Sequence, residues 1–143
     1  MHFPWHATRA FLVAMLLVCA SAPVSAQDPR ESAVSAASRD WLAIIDKGDY
    51  AASWKAAGTK FRSAITAEKW SESVTAVRGP LGKVVQRTGQ RTTFTKEFPG
   101  VPQGDYALVN FLTAFEKRTD TEETLTLERE ADGQWHVIGY FIR

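Results

Sequence analysis

The sequence predicts an α+β fold in which N-terminal helices pack on one face of a curved antiparallel sheet of four to five strands. Three observations support this prediction. Apolar residues recur at helical spacing before Gly82, the strand-forming residues Val, Thr, Phe and Tyr dominate after it, and Asp132-Gly133 is a strong hairpin signal near the end. Helices followed by a run of strands are typical of a domain whose helices cover one face of the sheet.

Three helices are predicted in the first half of the chain. The first spans 31–47, and Gly48 ends it. Asp49 is the expected N-cap of a second, short helix that stops at Gly58, and Thr66 is the expected N-cap of the third. Each helix has one apolar stripe, formed by Val34, Ala37, Trp41, Ile44 and Ile45, by Tyr50, Trp54 and Ala57, and by Trp70, Val74 and Val77.

Five strands are predicted in the second half, over residues 83–88, 91–98, 106–117, 122–130 and 134–143. With Asp132-Gly133 at the tip of the last turn, Leu125 faces Tyr140 and Arg129 faces His136. This pairing places an apolar set on one surface of the hairpin: Glu123, Leu125, Leu127, Ile138, Tyr140 and Ile142. It places Trp135, Val137 and Phe141 on the other, wetter surface.

Residues 1–26 have the pattern of a cleavable signal peptide. Arg9 precedes an apolar run over 10–20, and the small residues Val24-Ser25-Ala26 suit signal peptidase, so the mature chain is expected to begin near Gln27. The apolar run covers about half of the ~20 residues that a membrane-spanning helix needs, and an uncleaved anchor is the alternative. Lipidation of Cys19 is not expected, because Val18 stands where a lipobox needs a smaller residue. We therefore expect an exported protein, located in the periplasm.

The length of the mature chain and its net charge limit the number of domains and the kinds of partner that we expect. Residues 27–143 are too few for two hydrophobic cores, so one domain is expected. The chain carries 17 Lys and Arg against 16 Asp and Glu, and loss of Arg9 with the signal peptide balances them. Nucleic-acid binding usually needs a basic face and is therefore not expected. Cys19 is the only cysteine, so disulfides do not stabilise the mature domain.

The sequence contains no clear pattern for a metal site, a cofactor site or a catalytic nucleophile. A zinc site needs three or four converging ligands, and His136 is the only histidine after the signal peptide. Asp120, Glu122 and Glu123 are carboxylates that could bind calcium, but they lack EF-hand spacing. The serines lack a strand-to-helix elbow. We expect no metal site and no cofactor.

His136 is the one candidate catalytic residue. In a small isomerase or hydrolase it would act as acid or base beside a carboxylate, for which Glu123, Glu128 and Asp105 are candidates. Its predicted neighbour Arg129 favours instead a strand histidine at the rim of the core.

Aromatic residues supply two candidate binding surfaces. Trp41, Trp54, Trp70, Phe111 and Tyr140 either line a pocket for a small apolar molecule or fill the core. Trp135, Val137 and Phe141 on the wetter sheet surface are a candidate interface for a homodimer or a protein partner.

Short blocks of sequence are spread over nearly the whole length after the signal peptide: residues 41–42 (WL), 46–50 (DKGDY), 53–54 (SW), 61–62 (FR), 68–70 (EKW), 78–82 (RGPLG), 98–106 (FPGVPQGDY) and 132–143 (DGQWHVIGYFIR). Together they resemble the bacterial family called domain of unknown function 4019. The resemblance implies a small exported domain with a cone-shaped fold like that of nuclear transport factor 2 or cystatin. It implies no activity and supplies no catalytic residues.

These observations together predict a non-catalytic exported accessory domain that binds a small apolar molecule or an exported protein partner. The alternatives are a periplasmic isomerase or hydrolase that uses His136 with a carboxylate, and a structural protein that forms homodimers through its sheet. No stable membrane span is expected after cleavage.

Overall fold

A computed structural model describes residues 26–143. In this part of the chain the helices are α1 (Pro29–Asp46), α2 (Tyr50–Ala56), α3 (Thr59–Ala64) and α4 (Ala67–Arg78), followed by a 3-10 turn at Gly79–Leu81. The strands are β1 (Val84–Thr95), β2 (Tyr106–Phe115), β3 (Arg118–Arg129) and β4 (Trp135–Ile142), and they form one antiparallel sheet in chain order. The predicted α+β fold is confirmed. The predicted signal peptide, apart from Ala26, lies outside the described residues.

The helix ends follow the predicted capping residues. Asp49 caps α2 by accepting a hydrogen bond from the Ala52 amide at 3.0 Å, and Thr66 caps α4 by accepting one from the Lys69 amide at 3.3 Å. Gly48, between α1 and α2, has φ 77°, a conformation that strains any residue with a side chain. Helix α3 was not predicted, because its six residues are too few to show a helical period.

Strand β1 replaces two predicted strands. Its pairing with β2 runs through Gly89 opposite Phe111 and then Arg91 opposite Asn110, so Gln90 is an extra residue in a bulge. Gly89-Gln90 has the composition of a turn, but here the chain bends without reversing. The predicted separation of strands 83–88 and 91–98 is therefore wrong.

A second bulge changes the register of the last hairpin. Leu125 pairs with Tyr140 as predicted, but between this pair and the turn the register shifts, so that Glu128 pairs with His136. The predicted pairing of Arg129 with His136 is wrong, because Arg129 pairs with Trp135.

This shift turns two predicted surface residues toward the helices. Trp135 is 9% exposed and Val137 is 2% exposed, whereas Phe141, beyond the bulge, remains on the outer surface and is 62% exposed. The predicted position of Trp135 and Val137 on the wetter surface is therefore corrected.

The core lies between the helices and one face of the sheet. Residues of α1, α4, β2, β3 and β4 form most of it: Val34, Trp41, Leu42, Ile45, Trp70, Val74, Ala107, Val109, Phe111, Leu125, Leu127, Trp135 and Val137. Within residues 26–143, no helix is both long enough and apolar enough to cross a membrane.

The two edge strands of the sheet, β1 and β4, differ in whether other elements pack against their free edge. The Gly58 amide, between α2 and α3, donates a hydrogen bond to the Val137 carbonyl of β4 at 2.7 Å, and the next amide, Thr59, donates to Glu130 Oε1 at 2.6 Å. The other edge strand, β1, pairs with β2 alone, and most of its residues are exposed. One edge of the sheet is thus clamped by a helix connection and the other is open.

Candidate functional site

An open groove of about 730 Å³ lies between α1 and β4, and we name it the α1–β4 groove. The buried residues Trp41, Trp135 and Val137 form its floor. Four small side chains keep its walls low: Ala33, Ala36 and Ala37 of α1, and Ala56 of α2. Charged and polar groups stand around it: Arg30, Asp40, Arg129, Gln134 and His136.

Local sequence explains this composition. Ala33, Ala36, Ala37 and Asp40 follow each other at helical spacing, so they share one flank of α1. The bulge in β4 directs Trp135 inward, where its ring lies 5.9 Å from the ring of Phe94. The guanidinium of Arg30 lies 4.1 Å from the centre of the Phe94 ring. One end of the groove therefore carries the ring of Trp135 and the guanidinium of Arg30, which is paired with Asp28 at 2.6 Å.

His136 lies at the edge of this groove and has a carboxylate neighbour. Its Nε2 is 2.8 Å from Asp132 Oδ2 and 4.0 Å from Glu130 Oε2, and its side chain is 27% exposed. The hydrogen bond that the Gln134 amide donates to Asp132, and then the bond with His136, hold the pKa of Asp132 below its usual range. The partner is thus a turn residue, and it is not one of the three carboxylates that the sequence suggested.

The predicted pocket residues divide into two places. Trp41, Trp70 and Tyr140 pack in one aromatic cluster, with ring centres 5.4 Å to 6.4 Å apart. Trp54 is half-buried against the same core, whereas Phe111 lies under Arg39, where α1 approaches β1. Of these five residues, Trp41 is the one that lines the α1–β4 groove.

The indole nitrogens tie the aromatic cluster into the helix layer. Trp41 donates to the Ser53 carbonyl at 2.9 Å, Trp70 donates to Ser53 Oγ at 2.9 Å, and Trp54 donates to the Ile65 carbonyl at 2.8 Å. Buried indoles with paired N–H groups are typical of a packed core. Trp54 and Trp70 therefore belong to the packed helix layer, and Trp41 belongs to this layer and also lines the α1–β4 groove.

A buried ionic network lies where α1, α4 and the sheet meet. Glu123 of β3 is fully buried and accepts hydrogen bonds from Arg87 at 2.6 Å, from Thr113 Oγ1 at 2.5 Å and from the Tyr140 hydroxyl. Asp46 accepts from Arg87 at 2.6 Å and from Arg78 at 2.9 Å. Two arginines thus balance two carboxylates.

The family model for a protein of unknown function (DUF4019) matches residues 37–140. The chain belongs to the DUF4019 family. The resemblance drawn from short sequence blocks is thereby confirmed. The match covers the ionic network and most of the α1–β4 groove, and it leaves the groove residues Pro29, Arg30, Ala33 and Ala36 outside.

Other comparisons with this DUF4019 chain are distant. A solved structure from Catenulispora acidiphila is 16% identical, covers 80% of this chain and 90% of its own, and superposes with a TM-score of 0.48. No curated protein matches the chain.

The pKa values in the network of this DUF4019 domain follow from its geometry. Burial opposes ionisation of Asp46, but the hydrogen bonds from Arg87 and Arg78 outweigh it, so the pKa of Asp46 lies below its usual value. Burial, and then the negative charge of Glu123, raise the pKa of Tyr140 well above its usual value. Tyr140 therefore stays protonated and can donate its hydroxyl to Glu123.

Sequence reasoning missed this network. Its one sequence signal is Glu123, an acid at an apolar-face position of β3. The Glu123 carboxylate forms a salt bridge with Arg87. Residues 26–143 contain no group of three His, Cys, Asp or Glu side chains that could hold a metal ion.

Proposed function

We propose that this DUF4019 domain is a non-catalytic binding module that holds a small apolar or amphipathic molecule in the α1–β4 groove. The observation that carries the proposal is the groove itself. Its volume of about 730 Å³ matches that of ligand pockets in proteins, and its floor of Trp41, Trp135 and Val137 is apolar.

The groups around the groove favour a ligand with one polar end. Arg129 is exposed and uses its Nε to donate to the Gly133 carbonyl at 3.1 Å, so its terminal nitrogens can still donate to a ligand. Arg30, at the other end of the same groove, is already paired with Asp28 at 2.6 Å. A molecule whose apolar part lies on the floor can therefore place an acceptor near Arg129.

The lining residues favour binding over group transfer. No hydroxyl or thiol side chain occurs among the described residues that line the groove, so covalent catalysis through an alcohol or a thiol has no nucleophile there, and Asp40 and His136 are the nucleophilic side chains of the lining. This supports a non-catalytic role.

Native mass spectrometry of protein purified from its own host compartment tests the proposal. We expect a retained small mass that is lost when Ala36→Trp fills the groove. Ala43→Trp is the matched control, because Ala43 is an exposed α1 residue outside the groove lining. A mass that Ala36→Trp retains would contradict the proposal. Protein that carries no ligand would also contradict it, and would favour the protein-partner alternative.

A small isomerase or hydrolase is the second candidate function. The distance of 2.8 Å between His136 Nε2 and Asp132 favours it, because a carboxylate that orients an imidazole is a common arrangement of general bases. Incubation of the retained ligand in D₂O tests it. Deuterium incorporation by the native protein and not by His136→Gln would support catalysis, and equal incorporation would contradict it.

We also propose export to the periplasm, which the signal-peptide pattern of residues 1–26 supports. N-terminal sequencing of protein from the periplasmic fraction tests this proposal, and a mature chain that starts at Gln27 is the expected result.

The packing of α1 and α4 on one face of a bulged sheet supports a cone-shaped fold of the nuclear transport factor 2 type. Comparison of an experimental structure with that fold is the test.

A further inference from the structure

The second half of β4 forms an open edge of the sheet. The Gly58 amide covers only the start of the strand, where it bonds to the Val137 carbonyl. Within residues 26–143, no backbone hydrogen bond from another element reaches Tyr140 or Ile142 on this side. The bulge in β4 lies at Ile138, so residues 139–142 keep a regular register with β3.

The pairing with β3 determines which backbone groups point outward. Glu122 and Arg143 exchange two backbone hydrogen bonds, of 3.1 Å and 3.0 Å. In an antiparallel pair, such bonded positions alternate with positions that make no bond to the neighbouring strand. Ile142 and Tyr140 occupy the positions without bonds to β3, so their amides and carbonyls point to the free edge.

Apolar side chains accompany these free backbone groups. A groove of about 160 Å³ lies along the edge between α4 and β4, and its lining is mostly apolar: Trp70, Ser73, Val74, Val77, Tyr140, Phe141 and Ile142. Val77 is 48% exposed and Phe141 is 62% exposed, and they are two of the four large apolar residues that are exposed in the described part of the chain. Half of that exposed set therefore lies at this edge.

Strand β1, at the other edge, differs from β4 in its protection. Arg87 and Arg91 lie within β1, Lys83 and Lys96 flank it, and two irregularities interrupt its register. Charged side chains and bulges are features that keep an exposed edge from pairing with another strand. Residues 139–142 of β4 contain no charged residue, no proline and no bulge. The β4 edge therefore lacks the protection that the β1 edge has.

We propose that β4 pairs with β4 of a second copy of this chain, antiparallel about a two-fold axis at Phe141, so that the two four-stranded sheets become one. In this register the amide and carbonyl of Tyr140 bond to the carbonyl and amide of Ile142 in the second copy, and the same bonds form in the other direction. The outward backbone groups of both residues thereby gain partners. The pairing does not depend on what binds in the α1–β4 groove.

Side chains at the edge favour a second copy as the partner. Phe141 lies directly opposite Phe141 of the second copy, at a Cα separation of about 4.5 Å, and opposed aromatic pairs stabilise a sheet. Arg143 lies opposite Gly139 of the second copy, so like charges do not meet. Ile142 of the second copy lies opposite Tyr140, beside the apolar groove. The edge is thus complementary to itself, as a two-fold interface requires.

Sedimentation equilibrium of the purified protein, from about 1 μM to about 1 mM, tests the proposal. We expect the average mass to rise from that of one chain to that of two. A single-chain mass at every concentration would overturn the proposal, and would leave an extended segment of another protein as the occupant of the edge.

Matched variants distinguish the edge from the outer face of the sheet. Phe141→Lys places two like charges opposite each other and is expected to weaken the dimer about tenfold or more. Leu112→Lys changes an exposed apolar residue of β2, a strand away from the edge, and is expected to leave the dimer unchanged. Equal weakening by the two variants would overturn the proposal.

A charge exchange tests the two-fold register. Phe141→Lys and Phe141→Glu proteins are each expected to stay monomeric, because residue 141 faces its own copy. An equimolar mixture of them is expected to form a heterodimer. A mixture that remains monomeric would contradict this register.

Hydrogen exchange tests the backbone bonds themselves. The amides of Tyr140 and Ile142 are expected to exchange slowly in concentrated native protein and quickly in Phe141→Lys. The amides of Gly139 and Phe141, which bond to β3, are the internal control and should be protected in both proteins. Fast exchange of Tyr140 and Ile142 in the native dimer would overturn the proposal.

Discussion

Glu123 holds two strands and two helix ends together through charge. Its carboxylate is fully buried, and it binds Arg87 of β1, while Arg87 and Arg78 bind Asp46 at the end of α1. Removing a carboxylate from water is costly, and the cost is offset only when pairing and hydrogen bonds are complete. Each member of this network is therefore stable in the interior only while the others are present.

Glu123→Gln is expected to lower the free energy of unfolding by about 3 kcal/mol, because it leaves buried positive charge without its counter-ion. Urea denaturation measures the change. Glu122→Gln is the matched control, since the neighbouring side chain is exposed and bonds only to polar groups of the outer face, and its effect should stay within about 0.5 kcal/mol. Equal losses in the two variants would contradict the role of the network.

Asp46 makes the fold sensitive to acid. Its folded pKa lies below its usual value of 3.8, so its stabilising contribution is present above that value and is lost as the pH falls through the folded pKa. We expect the melting temperature to fall between about pH 5 and pH 2, and to fall less steeply in Asp46→Asn. Asp40→Asn, an exposed change on the same helix, should keep the native slope.

Residue-scale features differ in how far the sequence predicts them. Asp49 and Thr66 were identified as caps because a cap bonds within three residues of itself. Glu123 was placed on the correct face of β3 by the period of the strand, but its partner Arg87 is 36 residues away in the chain. Nothing local to either residue indicates that contact.

At the scale of elements, the connection between α2 and α3 fastens the helices to the edge of the sheet. Gly58 lies so close to β4 that an added Cβ would be 2.8 Å from Ile138 Cγ2 and 2.9 Å from Glu130 Oε1. The position requires glycine because there is no space for a side chain. Its backbone angles are ordinary extended values that other residues also adopt.

Gly58→Ala is expected to destabilise the protein by roughly 1–3 kcal/mol, because the methyl group must displace the β4 edge. Gly79→Ala is the control, since no atom lies within 4 Å of its added Cβ and its φ of −53° suits alanine. That variant should be neutral or more stable by about 0.4–1 kcal/mol. Thermal melts of both proteins check the difference, and a Gly58→Ala protein as stable as Gly79→Ala would contradict the clamp.

Helices and strands were predicted well where the apolar residues kept one spacing over many residues. They were predicted poorly where a single extra residue in a bulge interrupted that spacing. Helix α1 and the final hairpin appear where the sequence placed them. A bulge leaves the composition of a strand unchanged, and so the inward turn of Trp135 could not be seen in the pattern of β4. For the same reason Trp135 and Val137 were not predicted to form the groove floor, although Trp41 was predicted as a pocket residue.

At the scale of the whole molecule, stability is expected to be uneven across the sheet. Strands β2 and β3 are paired on both sides, whereas β1 is paired on one side and is largely exposed. Amides of β2 and β3 should therefore exchange with solvent only on global unfolding, and those of β1 through local opening. Hydrogen–deuterium exchange measures this, and equal protection of β1 and β2 would contradict it.

The distribution of the tryptophans gives the molecule two built-in optical probes. Trp54 and Trp70 are held in the helix layer by hydrogen-bonded indoles, while Trp135 lies on the floor of the α1–β4 groove. Fluorescence from the first pair should report whether the helices are docked. Emission from Trp135 should change when a molecule occupies the groove, so a chain that retains Trp135 as its single tryptophan would detect its own ligand without a label.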